Sequence, residues 1–354
     1  MKKVLKIILY ILLALVVLVG AYVVYVMVAY YRVEDNLSLD VMGAADTTAA
    51  TDTEYSVLTY NVGFGAYSAD YSFFMDGGEH SWALSEEAVH TNINGAIDTI
   101  AKYSPDFMLL QEVDTDSTRS YHMDETVPFI TAFNNYDYTF AQNYDSPYLF
   151  YPFNQPHGKS VAGLLTLSSC DIESAVRRSL PIEGGFMKFL DLDRCYSVQY
   201  LPVENGKTLC LYNLHLSAYS SDGSIATEQL KLLIEDMSAE YAAGNYVICG
   251  GDFNKDLKGD SGAVFGVSGE NQSWAQPFPF ELLPEDFTLQ INTGDPMPTS
   301  RNADMPYTPG TSFVISLDGF ITSANVTVSQ VEVIDTGFAY SDHNPVRMVF
   351  TLNP

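Results

Sequence analysis

Six short stretches of this chain bring residues able to hold a hard cation or move a proton to the end of an apolar run. Asn61 follows Val57-Leu58-Thr59-Tyr60, and Glu112 follows Met108-Leu109-Leu110-Gln111. Asn213 and His215 alternate with apolar residues in Leu211-Tyr212-Asn213-Leu214-His215-Leu216. Asp252 and Asn254 follow Val247-Ile248-Cys249-Gly250-Gly251, Asp318 sits in Ile315-Ser316-Leu317-Asp318-Gly319-Phe320, and Asp342-His343 lies within Tyr340–Pro345. Taken singly, each has an ordinary structural explanation. Asn61 and Asp252 suit turns, Glu112 a solvated surface, His215 a satisfied core position, Asp318 a strand end, and Asp342 a turn before Asn344-Pro345. Turn and surface preferences give no reason for all of them to recur at strand ends. If those strands lie side by side, carboxylates, amides and imidazoles gather at one sheet edge.

The elements that must do the positioning are mostly strands. Candidates are Ser56–Tyr60, Phe107–Gln111, Tyr138–Ala141, Ala162–Leu167, Tyr196–Pro202, Thr208–Leu214, Tyr246–Cys249, Phe313–Ile321 and Val346–Leu352. Two helices are expected, Ser85–Tyr103 and Thr227–Ala243; in the second, Leu230, Leu233, Ile234 and Met237 recur at helical spacing. Strands far outnumber helices, which favours a two-sheet sandwich flanked by helices over a doubly wound parallel sheet.

The ordered series Tyr-Asn-Val, Leu-Gln-Glu-Val, Asn-Leu-His-Leu, Gly-Asp-Phe-Asn, Leu-Asp and Ser-Asp-His-Asn-Pro resembles the endonuclease/exonuclease/phosphatase superfamily, from about Ser56 to Phe350. That group includes DNase I-like nucleases, inositol-polyphosphate phosphatases and neutral sphingomyelinases. The resemblance implies an α/β fold, a four-layer sandwich of two mixed β-sheets packed face to face with helices outside. It also implies hydrolysis of phosphate esters by in-line attack of water. Carried over residue by residue, Glu112 is the main ligand of Mg2+ (Mn2+ and Ca2+ being alternatives), assisted by Asn61 and Asp342. His215 contacts a phosphate oxygen, Asp252 orients or deprotonates the water, Asn254 holds water and phosphate, and Asp318 pairs with His343. Either Asp252 or His343 serves as the base. Gly63 replaces a polar residue of some relatives, and Gly63–Ser81 reads as an insertion.

Substrate contacts are expected from Asn213, Lys159 and Arg301, with His157 near Lys159. Ser146–Pro156 carries aromatics in a proline-rich stretch unlike a strand, suited to a pocket rim, and Trp274–Phe287 is a second exposed apolar candidate. The net charge of −27 opposes electrostatic attraction to nucleic acid, and no Lys/Arg stripe is present to track a phosphate backbone. Three readings fit: a phosphoesterase acting on small or lipid-linked phosphates near a membrane, an extracellular nuclease, and an inactive binding protein on the same fold.

The membrane enters through the N-terminus. Lys2, Lys3 and Lys6 precede an uncharged apolar run from Ile7 to Ala29. At about 1.5 Å per residue, those 23 residues cover the hydrocarbon core of a bilayer. No small-residue cleavage site follows at once, so the run reads as an uncleaved signal anchor, with a cleaved signal or a buried core helix as the alternatives. The organisation expected is a basic cytoplasmic end (1–6), a single span (7–31), a flexible acidic linker (32–54) and an extracytoplasmic catalytic domain (55–354). Orientation follows the preceding lysines, and the setting expected is a bacterial cell surface. Cys170, Cys195, Cys210 and Cys249 lack zinc-site spacing.

Overall fold

The computed structural model describes residues 2–184, 188, 192–218, 224–267 and 276–354. In chain order the elements are α1 (Lys2–Ala29), β1 (Leu37–Leu39), β2 (Glu54–Asn61), α2 (Glu86–Ala101), β3 (Phe107–Asp114), α3 (Thr126–Ala132), β4 (Asp137–Asp145), β5 (Val161–Ser168), β6 (Ser174–Ser179), β7 (Cys195–Pro202), β8 (Thr208–His215), α4 (Ser224–Ala242), β9 (Tyr246–Asp252), α5 (Ser261–Phe265), β10 (Phe287–Gln290), β11 (Ser300–Arg301), β12 (Val314–Ile315), β13 (Asp318–Ser323), β14 (Val326–Val333) and β15 (Val346–Leu352). One six-stranded sheet has the order β14-β15-β2-β3-β5-β4, and one seven-stranded sheet β1-β6-β7-β8-β9-β13-β10. Each is mixed, with one parallel pair: β2 beside β3, and β8 beside β9. The chain crosses between the parallel partners through α2 in the first sheet and α4 in the second.

Alternation along the strands divides the core into layers. Val57, Phe107, Leu109, Leu211, Ile248, Phe320 and Met348 share one buried cluster between the sheets. Their neighbours Leu58, Tyr60, Met108 and Leu110 belong to another cluster, with Val89, Ile93, Ile97 and Ile100 of α2. Cys210, Tyr212, Val247 and Cys249 pack with Leu230, Leu233, Ile234 and Met237 of α4. Side chains of successive residues point to opposite faces, so these memberships establish the layers as helix, sheet, sheet, helix. Burying both faces also explains why the central strands read as nearly continuous apolar runs. Each fully buried aliphatic side chain of α2 contributes about 1.5–3 kcal/mol, more than the helix-propensity differences among them. Ser85 caps the helix by accepting from the Ala88 N–H at 3.1 Å.

Several expectations change. Residues 32–54 do not stand apart as a linker: β1 pairs with β6, Met42 bridges to Tyr138, Ala49 bridges to Val203, and Val33 and Ala49 are buried. The stretch is polar overall, but its few apolar residues anchor it while its backbone covers the sheet edge at β6. The strand expected over Phe313–Ile321 is split into β12 and β13, because Thr299 Oγ1 accepts from the Leu317 and Asp318 N–H groups at 2.8 and 3.0 Å. Trp274 of the second aromatic candidate lies outside the described residues; Phe278 and Phe287 of that stretch are buried beneath α4, whereas Phe280 is exposed. The four cysteines are free and buried. Among the described residues, one helix, α1, is long and apolar enough to cross a membrane.

Candidate active site

Sheet topology brings the chemistry-bearing residues to one rim. Asn61 closes β2 and Glu112 lies near the end of its parallel neighbour β3, while His215 and Asp252 close the parallel pair β8 and β9 in register. Asp318 opens β13 directly opposite Asp252, and Asp342-His343 immediately precedes β15, which runs antiparallel to β2. At Glu112 the register of β3 against β5 shifts and φ is 55°. This is a bulge, the device that re-aims a side chain out of the regular alternation.

Asp252 is the hub. Its Oδ2 accepts from Asn61 Nδ2 at 3.1 Å and lies 3.6 Å from His215 Nε2 and 3.7 Å from His343 Nε2; its Oδ1 accepts from the Asn254 N–H at 2.9 Å. The Asn61 amide also donates to Glu112 Oε1 at 3.1 Å, while its oxygen accepts from the Gly63 N–H at 3.0 Å. His343 Nδ1 is 2.8 Å from Asp318 Oδ2, and its Nε2 is 3.3 Å from Ser300 Oγ. Asn254 donates to the Leu216 carbonyl at 2.8 Å. Gly63 has φ of 54°, and a Cβ there would meet the Tyr67 ring at 2.7 Å and Asp342 Oδ1 at 3.1 Å. A side chain at that position would therefore crowd the rim.

Burial dominates the electrostatics. It raises Asp252 to about 7, with Asp318 adding to the shift and His343 opposing it. It raises Asp342 to about 6, where Glu112 adds and His343 opposes. Burial alone would discharge His343, but the Asp318 and Asp252 carboxylates outweigh it and hold the ring protonated well above its usual range. His215 goes the other way: burial, then Arg194, His343 and Arg119, push it well below the usual imidazole value. The rim thus holds one cationic and one neutral imidazole around a carboxylate.

These groups open into a cavity of about 130 Å3, lined also by Phe64, Tyr67 and Phe73 from the stretch that the sequence suggested to be inserted. Arg119 and Arg194 line it as well, and neither was singled out from the sequence. Arg119 is held by Asp114, which accepts from Nε at 3.1 Å and Nη2 at 2.8 Å, and its guanidinium lies 3.8 Å from the centre of the Phe64 ring. The signal available in the sequence was its place seven residues beyond Glu112.

The expected substrate contacts fare differently. Asn213 is fully buried between the sheets: it accepts from Gln111 Nε2 at 2.8 Å and donates to Thr166 Oγ1 at 3.1 Å, so it braces the sandwich instead of facing the cavity. Lys159 is outside the cavity wall, with Nζ 3.7 Å from Asp145. Arg301 does line the cavity, but its terminal nitrogens donate to the carbonyls of Ser68, Tyr71, Asn302 and Met305. His157 lines the cavity too; burial first and then Arg119 lower it to about 3, and its Nδ1 is 3.1 Å from the Ser81 carbonyl.

The model of the endonuclease/exonuclease/phosphatase family matches residues 58–343, most of the chain. The chain belongs to that family. Its members are hydrolases of phosphate esters. The fold is also that of an endonuclease/exonuclease/phosphatase protein from Beutenbergia cavernae DSM 12333, at TM-score 0.58 and 16% identity, over 85% of this chain and 72% of that one. ANGEL2, described as a 2',3'-cyclic phosphatase and solved with adenosine-2',3'-vanadate, is similar at TM-score 0.55 and 16% identity, over 90% and 99% of the two chains. The human Nocturnin catalytic domain with bound sulfate gives 0.53 and 19%, over 89% and 97%. No curated protein matches the chain. At these identities the structural neighbours establish the family fold.

Proposed function

We propose that this family member is a membrane-anchored, Mg2+-dependent phosphoesterase that hydrolyses phosphate esters by in-line attack of water, with its catalytic domain outside the cytoplasm. The observation that carries the reading is the buried Asp318–His343 pair at 2.8 Å set against Asp252 and Glu112 on one rim. The donor chemistry fits a hard divalent cation: Glu112 and Asp342 offer oxygen ligands, and Glu112 adds to the burial that raises Asp342, a repulsion that a bound cation would relieve. Asn61, whose amide bridges Glu112 and Asp252, fixes the orientation of that set. When bound, Mg2+ would draw electron density from the phosphate and offset charge on its oxygens. Mn2+ or Ca2+ would suit the same oxygen donors.

The chain's own groups account for the proton and charge movements. Asp252, raised to about 7, is poised to take a proton from the attacking water near neutral pH. His343, kept cationic by Asp318, places positive charge beside the developing oxyanion, and neutral His215 offers an N–H to a phosphate oxygen. Asn254, tied to Leu216, holds the wall against which water and phosphate are ordered. Arg119, fixed by Asp114, adds a permanent cation to the cavity.

Anchoring rests on α1, and orientation on Lys2, Lys3 and Lys6 ahead of it. The net charge of −27 favours a small or lipid-linked ester over a nucleic acid. The discriminating experiment presents plasmid DNA, phospholipid vesicles and a 2',3'-cyclic nucleotide to the full chain in detergent, with His343→Ala alongside. Lipid or small-ester hydrolysis insensitive to salt, and lost in the variant, supports the proposal. DNA cleavage that falls steeply with salt would replace it with the nuclease reading, and bound Mg2+ with no turnover would point to the inactive binding protein.

A further inference from the structure

Beside the catalytic cavity lies a second concavity of about 570 Å3 with a very different lining: Leu149, Phe150, Tyr151 and Phe153 of one loop, Phe74, and Tyr22 of α1. Met75, Tyr144 and His157 belong to both walls, so the two spaces adjoin. A volume of this size suits an extended apolar group. The loop is among the most exposed apolar surfaces of the catalytic domain, with Phe150, Tyr151 and Phe153 at 50%, 63% and 86% exposure.

The position of α1 says what covers it. Tyr22 donates to the Tyr148 carbonyl at 3.1 Å, Tyr25 accepts from the Tyr148 N–H at 3.0 Å, and the Tyr22 and Phe150 rings meet edge-on at 5.2 Å. About 20 helical residues counted from Ile7 traverse a hydrocarbon core of about 30 Å. That places its outer boundary near Val26, the buried residue of α1, so the loop that touches Tyr22 and Tyr25 reaches from the hydrocarbon edge to about one helical turn inside it. Tyrosines at this depth form the aromatic belt typical of a membrane interface. Charge is not what holds the domain there, since the chain is strongly acidic.

We propose that this groove receives one acyl or prenyl chain of a lipid from the bilayer that α1 spans, delivering the lipid's phosphate ester to the adjoining catalytic rim. The inference rests on the phosphoesterase reading and narrows its substrate to membrane lipids. The groove supplies affinity in proportion to the methylenes it buries, and the rim supplies the chemistry.

The test uses the full chain in detergent micelles and a series of p-nitrophenyl alkyl phosphates with ethyl, octyl and hexadecyl chains, together with the matched alkyl monophosphates followed by phosphate release. Burial is worth up to about fourfold per methylene, so kcat/KM should rise at least tenfold from ethyl to octyl. Phe150→Asp should bring the octyl and hexadecyl esters to within about threefold of the ethyl ester while leaving ethyl-ester hydrolysis unchanged. Phe153→Ser, at a far more exposed position, serves if Phe150→Asp fails to fold, which loss of ethyl-ester hydrolysis would reveal. Micelle partitioning alone would preserve the chain-length rise in both variants, and that result overturns the groove. A flat chain-length profile in the unaltered protein also overturns it while leaving the phosphoesterase intact. Silence on every ester would remove the phosphoesterase reading itself.

Discussion

Replacing Asp318 with Asn tests the pair on which the proposed chemistry turns. Asp318 Oδ2 sits 2.8 Å from His343 Nδ1, both side chains are buried, and Asp318 is the strongest of the carboxylates keeping that ring protonated. Removing one preorganised electrostatic stabiliser of a transition state costs about 2.7–4 kcal/mol of barrier. Asn retains an acceptor for the Nδ1–H, which places the loss at the lower end, about 3 kcal/mol. At 1.36 kcal/mol per decade, that is roughly a hundredfold or slightly more in kcat. KM should change little, because the charge His343 meets develops only in the transition state. Steady-state hydrolysis of bis-p-nitrophenyl phosphate with Mg2+ separates the two constants. A cycle with His343→Gln adds a sharper criterion: two residues acting as one unit should lose about as much together as either loses alone. A loss below threefold for Asp318→Asn, or fully additive losses in the double variant, would refute the assignment.

Other consequences are read from stability and pH. Arg119→Met leaves the buried Asp114 carboxylate without its bidentate partner and should destabilise the chain by about 3–5 kcal/mol in urea unfolding followed by near-ultraviolet circular dichroism; an unchanged midpoint would show the pair to be dispensable. His157 is neutral in the folded chain down to about pH 3, whereas the unfolded chain takes up its proton near 6.5. Its contribution is therefore complete above about pH 6.5 and is lost as pH falls toward 3, by up to about 1.4 kcal/mol per unit, a slope that His157→Gln should remove. A soluble chain beginning at Val33 should be more stable than one beginning at Tyr55, because only the longer one keeps β1 on the β6 edge and buries Ala49; equal unfolding midpoints would contradict this.

Most of the rim could be read from the sequence because the chemistry proposed for it demands particular residue types, and the fold places them at ends of strands that are themselves continuous apolar runs. The elements missed are those whose residues answer to tertiary partners. β6 carries Arg177 and Arg178, and β14 carries Thr327, Ser329, Gln330 and Glu332, so neither shows a plain apolar signature. β1 exists because an edge needs covering, which no local pattern encodes. Asn213 was drawn toward the substrate by its neighbour His215, yet alternation sends residues two apart to the same face without saying how far along it the rim begins. Asn213 lies one step too deep, where it bonds to Gln111 and Thr166 across the sandwich. Arg119 belongs to the cavity only because Asp114 and Phe64, distant from it or hidden in other elements, hold its guanidinium there.

Divalent-metal-dependent hydrolysis of a phosphate ester at this rim is decided by metal titration of the full chain in detergent. Metal is first stripped with EDTA, and release of p-nitrophenol from bis-p-nitrophenyl phosphate and from p-nitrophenyl phosphate is followed as Mg2+ is restored, beside Glu112→Gln. Activity on one of these esters should recover saturably, with Glu112→Gln needing at least tenfold more Mg2+ and recovering only a small fraction of the rate. Hydrolysis that survives EDTA, or a Glu112→Gln variant that follows the unaltered protein's titration curve, would rule out metal-dependent chemistry at Glu112.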